Sequence, residues 1–88
     1  MRQPGGWMQL PTDNQILEAL ATGLELKPST IAHNIGKART TVQERLPTLV
    51  EYGLIEKSDD TGYYRITTAG EAYLTGDLDA DDLEPDGG

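Results

Sequence analysis

Side chains able to do chemistry crowd into one short stretch, where Lys37, Arg39, Thr40, Thr41, Gln43, Glu44 and Arg45 all fall between residues 37 and 45. They do not make a catalytic set. His33 is the only histidine and there is no cysteine, so one chain can build neither a His pair for zinc, a Ser-His-Asp arrangement nor a thiolate nucleophile. His33 itself reads as a surface or capping residue. No enzyme activity, cofactor or metal is therefore expected. What these residue types share is the capacity for recognition. A glutamine amide pairs bidentately with adenine, a glutamate accepts from cytosine N4, a threonine methyl meets that of thymine, and an arginine fork fits guanine or phosphate.

Such recognition requires an element that turns these side chains outward. Spaced at about 100° per residue, positions 39 to 50 put Val42, Leu46, Leu49 and Val50 on one side and Thr40, Gln43, Glu44 and Pro47 on or near the other. The spacing predicts a helix over 39–50, with Arg39 at its start. Arg45 falls on the flank of the apolar stripe, where a phosphate or an intramolecular partner suits it better than a base. Pro47 removes the bond to the Gln43 carbonyl, at about 3 kcal/mol in a regular helix, and predicts a kink or tightening near 43–47.

Just upstream, Pro28 fits a first helical turn, and Ile31, Ala32 and Ile35 share a face, predicting a helix over 28–35. Lys27 and Ser29 stand at its start, where backbone N–H groups can hold a phosphate, although Ser29 serves equally well as a cap. Gly36, Lys37 and Ala38 join the two helices. A glycine turn this tight between two short helices is the sequence form of a helix-turn-helix.

The flanking elements complete a domain. Thr12 and Gln15 have capping-box spacing with Asp13 near the helix start, and Ile16, Leu17, Leu20 and Leu24 follow, predicting a first helix over 13–22. Runs at 54–57 and 63–67 read as the strands of a hairpin around a polar turn. This wing carries the cations Lys57 and Arg65, while Asp59 and Asp60 at its tip would repel a DNA backbone, so it should lie beside a groove rather than deep in one. Thr68 and Glu71 repeat the capping spacing before a last helix reaching about Thr75. The expected fold class is α+β, mainly α: a winged helix-turn-helix with three helices, a two-stranded wing and a C-terminal helix. Residues 1–76 form that domain, with Trp7 and Met8 in its N-terminal arm covering the core or packing on a second subunit. Residues 77–88 read as an acidic, mobile tail in which Asp79 caps one turn at most.

A formal charge of −8 at first argues against a nucleic-acid partner. Its distribution changes the picture, because residues 27 to 45 hold Lys27, Lys37, Arg39 and Arg45 against Glu44 alone, whereas Asp77, Asp79, Asp81, Asp82, Glu84 and Asp86 follow Gly76 with no cation. An acidic surface also suits molar salt, where a Debye length of about 3 Å screens repulsion from DNA. Halophily is the corresponding expectation. No apolar run approaches the roughly 18 residues of a membrane span, and the first residues lack a signal-peptide hydrophobic stretch, so a soluble cytoplasmic protein is expected. A domain this small has only about 4 to 13 kcal/mol of stability, which a dimer partner would raise.

Ala38-Arg39-Thr40-Thr41-Val42 with Leu46 and Leu49, then Tyr52-Gly53-Leu54-Ile55-Glu56, Tyr64-Arg65-Ile66-Thr67 and Gly70-Glu71-Ala72-Tyr73-Leu74, resemble a haloarchaeal winged-helix regulator. Trp7-Met8 and Gly76-Asp77-Leu78-Asp79 narrow the resemblance to the repressor family named after the halophilic phage phi-H. Residues 7 to 83 carry it. The resemblance implies a homodimer that binds double-stranded DNA sequence-specifically, with Arg39, Thr40, Gln43 and Glu44 at the reading positions. Three features depart from it: Ala38 stands where such proteins commonly have a capping Ser or Thr, Pro47 replaces a helix-compatible residue, and the wing tip is acidic. The other reading is a protein-interaction module that uses this scaffold without DNA and offers its acid to a basic partner. Neither reading calls for a membrane or a small-molecule ligand.

Overall fold

A computed structural model describes residues 3–58 and 61–85. Asp59 and Asp60, the wing-tip acids, lie outside the described residues, as does the chain after Pro85. The order is α1 (Thr12–Leu20), α2 (Pro28–Ile35), α3 (Arg39–Glu51), β1 (Ile55–Lys57), β2 (Tyr64–Ile66) and α4 (Thr68–Thr75), followed by a short 3-10 turn over Ala80–Asp82. The expected winged helix-turn-helix is what forms.

Each helix contributes the side chains that its periodicity aims inward. Ile16, Leu17 and Leu20 of α1, Ile31 and Ala32 of α2, and Val42, Leu46 and Leu49 of α3 close one core with Leu54, Ile55 and Tyr73. The wing pairs antiparallel, Ile55 opposite Ile66, Glu56 opposite Arg65 and Lys57 opposite Tyr64. Leu26 adds a further rung through two backbone bonds with Tyr64, which ties the segment before α2 to the wing. Gly70 lets α4 sit down on this hairpin: a Cβ there would lie 2.2 Å from the Leu54 carbonyl oxygen and 2.6 Å from Ile66.

Two helices end on glycines in the left-handed region. After α2, Gly36 (φ 71°) lets the Lys37 N–H reach the Ala32 carbonyl, and Gly76 (φ 87°) does the same for Asp77 and Ala72 after α4. A side chain with a Cβ would be strained at either turn.

Several expectations need correction. The Thr12–Gln15 capping box does not form: Pro11 takes the N-cap position, and the Asp13 carboxylate turns into the protein instead of sitting over the helix start. α1 stops at Leu20 because Gly23 (φ 84°) redirects the chain, so Leu24 leaves the helical face and is 61% exposed. The cap of α4 is Thr67, not Thr68, its hydroxyl oxygen accepting from the Gly70 N–H. α3 runs as one α-helix through Pro47 to Glu51.

The acidic segment after Gly76 is described as far as Pro85. Asp79 does cap a turn, through the Asp81 N–H, but the segment is also bound to the N-terminal arm and Ala80 is fully buried. Gln3 and Asp79 form a parallel bridge, the Gly6 N–H donates to Asp81 Oδ1, and the Trp7 indole N–H donates to the Ala80 carbonyl at 3.0 Å. Trp7 also stacks on Tyr52 with 3.7 Å between ring centroids and 4° between planes. Composition marks these carboxylates as solvated charge, whereas Ala80 and the backbone of the same segment supply enough burial and bonding to order it.

Candidate nucleic-acid interface

α3 separates its residues by face. Val42, Leu46 and Leu49 are buried, while Arg39, Thr40, Gln43, Glu44 and Pro47 are exposed. Thr40, Gln43, Glu44 and Pro47 follow i, i+3, i+4 and i+7 spacing, so they form one stripe along the outer side. Thr41 is half-buried beside it. No hydrogen bond within the chain claims the Gln43 amide or the Arg39 guanidinium among the described residues, so donors and acceptors of this stripe face solvent.

The two helices of the motif begin without side-chain caps. Lys27 and Ala38 hold the N-cap positions of α2 and α3 in extended conformation, and neither side chain accepts from the first turn. Ser29 is exposed in the first turn of α2 and caps nothing. Backbone N–H groups and the positive end of each helix dipole are thereby left to an outside acceptor. α4 differs, because Thr67 fills that role from within.

The cations divide into exposed and committed groups. Lys27 is exposed, with its ammonium 5.2 Å from the centre of the Tyr63 ring, and Lys57 lies 6.0 Å from that of Tyr64. Lys37 is half-buried in the turn before α3. Arg65 is exposed but donates to Glu56 across the hairpin. Charge pairing on the strand surface thus reduces what Arg65 can offer a phosphate.

Arg45 is committed to a partner within the chain. Its Nε donates to Asp13 Oδ1 and a terminal nitrogen to Asp13 Oδ2, both at 2.9 Å, with side-chain exposures of 11% for Arg45 and 0% for Asp13. The same terminal nitrogen reaches the Trp7 carbonyl at 3.5 Å, and the Gln9 N–H donates to Asp13 at 3.0 Å. The hydrogen bonds to Asp13 hold the guanidinium proton more tightly than usual, against desolvation, and the carboxylate charge adds to that effect. Of the two roles open to Arg45 in the sequence, the intramolecular one is realised: a bidentate brace between α1 and α3. Asp13 was missed as its partner, although its spacing to Ile16, Leu17 and Leu20 puts it on the face of α1 that packs inward.

Residues 1–86 match a family model described as winged helix-turn-helix phage repressor. A curated relative, the "Repressor protein" of Halobacterium phage phiH, is 42% identical over 82 residues, with 89% of this chain and 91% of that protein covered. The crystal structure of the PhiH1 repressor-like protein from Haloarcula marismortui superposes with a TM-score of 0.82 at 33% identity over 97% of each chain. The Zα domain of Cyprinid Herpesvirus 3 ORF112, from a structure on its binding mode to Z-DNA, gives a TM-score of 0.64 at 23% identity. It covers 68% of this chain and 98% of that one, and at such identity the likeness is one of fold.

Proposed function

This chain belongs to the winged helix-turn-helix phage repressor family, and from that premise we propose that it represses transcription as a homodimer, each copy setting α3 into a major groove of a partly palindromic DNA site. It is a DNA-binding regulator, not an enzyme. The observation that carries the mechanism is the exposed stripe of Thr40, Gln43 and Glu44 on a helix anchored by Val42, Leu46 and Leu49.

In this reading Gln43 takes adenine, Glu44 accepts from cytosine N4, Thr40 meets a thymine methyl, and Arg39 takes guanine or the adjacent phosphate. Thr41 and Lys37 flank these contacts. Lys27, Ser29 and the uncapped start of α2 hold phosphate and set the register, with Lys57 of the wing beside the groove. Arg45 braces the reading helix from behind. The site of action is the cytoplasm, at salt high enough to screen the acid elsewhere on the chain. Relatives from a Halobacterium phage and from Haloarcula marismortui support that setting.

Selection of bound sequences from a random duplex pool in molar KCl, followed by sizing of the complex, tests the proposal. An enriched motif with two related half-sites and two chains per duplex is expected. Failure to enrich any sequence at any salt would refute it in favour of the protein-interaction reading.

A further inference from the structure

Pro47 closes the outward stripe of α3 and is an unfavourable residue inside a helix. It has no N–H. The carbonyl of Gln43, four residues earlier, therefore lacks the donor that an α-helix supplies, and the proline ring crowds the place where that donor would sit. Among the described residues no side chain replaces it. The helix does not break to relieve the crowding: α3 stays α-helical from Arg39 to Glu51, held from behind by the buried Val42, Leu46 and Leu49. Gln43 and Pro47 are both exposed. A helical carbonyl points along the axis toward the residue four positions on, so this oxygen lies on the same outer side as Thr40, Gln43 and Glu44. Solvent-side carbonyls tilt away from the axis, and the ring pushes this one further the same way.

We infer that Pro47 makes the main-chain carbonyl of Gln43 a base-reading acceptor, which takes a hydrogen bond from an exocyclic amino group, adenine N6 or cytosine N4, in the major groove. The inference rests on the DNA-binding reading of α3 and adds to it a position that no side chain specifies. Adenine and cytosine present an amino donor at that point of the groove, whereas guanine and thymine present the keto acceptors O6 and O4, which repel a carbonyl. The amide of Gln43 and its carbonyl then read neighbouring bases and can be separated by mutation.

In the duplex selected from the random pool, each adenine is replaced in turn by purine and each cytosine by 2-pyrimidinone, which removes the exocyclic amino group. Anisotropy with the full chain in molar KCl should show, at one position per half-site, a loss of affinity of about threefold to tenfold. That loss should persist in Gln43→Ala and in Glu44→Ala. It should disappear in Pro47→Ala, where an N–H at position 47 occupies the carbonyl, while the losses due to the Gln43 and Glu44 side chains remain. Pro47→Ala relieves a helix interior of proline and should fold at least as well as the parent, so a vanished loss is not a vanished fold. The inference is overturned if no amino-group loss survives both Gln43→Ala and Glu44→Ala, or if the surviving one is still present in Pro47→Ala. It is overturned too if Pro47→Ala erases every amino-group loss alike, since the proline would then act through the path of the helix. Each of these results leaves the DNA reading standing; a pool that enriches no sequence removes both.

Discussion

Arg39 and Arg45 stand six residues apart on one helix and have opposite fates. Arg39 is exposed at the uncapped start of α3, whereas Arg45 is locked by two hydrogen bonds to a carboxylate with no solvent exposure. The outer surface of the helix-turn-helix keeps its polar groups available. The inner surface pairs Arg45 with Asp13 and ties Trp7 to Ala80 and Tyr52, contacts that hold the helix in place. Residue type alone therefore does not assign a basic side chain to DNA; its phase on the helix and the charge of what it meets decide.

The largest effect should come from the inner surface. Asp13→Ala leaves Arg45 with an uncompensated, mostly buried charge and should cost about 3–5 kcal/mol of stability. Urea unfolding in molar KCl measures this. Asp13→Leu combined with Arg45→Met removes both charges and should recover much of that loss. A single variant costing less than about 1 kcal/mol, the range of surface pairs, would mean that the brace is no anchor and that the contrast with Arg39 is only one of accessibility.

On the outer surface the effect should appear in binding and not in folding. Arg39→Ala and Gln43→Ala should each change stability by no more than about 0.5 kcal/mol. Each should lower affinity for the selected duplex by about 1–3 kcal/mol and leave non-specific binding nearly unchanged. Footprinting and anisotropy at fixed salt make the comparison. Equal loss on random and selected DNA would mean that these side chains hold the backbone rather than read bases.

How far the sequence reached follows the same division. Helical period and glycine stops placed α2, α3, the wing and α4 within a residue or two, because burial of a stripe and a left-handed turn leave strong local marks. The outward stripe on α3 was legible for that reason. The brace and the docking of the acidic segment were not, because their partners are distant in sequence: Asp13 lies 32 residues from Arg45, and Trp7 lies 73 from Ala80. Asp13 still left a trace, as an acid at core-facing spacing in α1, and Arg45 left another on the flank of the apolar stripe. Only the packing of α1 on α3 joins them. The cap of α4 was read one residue late for a simpler reason, since only Thr68 has an acid three residues on, at Glu71, while the backbone path gives the cap to Thr67.

The smallest effect separates cations that look alike on the wing side. Lys27 is exposed and stacked over a ring, at the mouth of an uncapped helix, while Arg65 already faces Glu56. A cation that neutralises one phosphate releases condensed counterions, so its removal should lower the salt slope of DNA binding by about one. Lys27→Gln should do so without altering the preferred sequence, and Arg65→Gln should leave the slope where it was, because Glu56 has already balanced that charge. Affinities measured across a series of KCl concentrations supply both slopes. An equal drop for the two variants would show that DNA competes Arg65 away from its partner, and the line between free and committed cations would then have to be drawn at burial rather than at pairing.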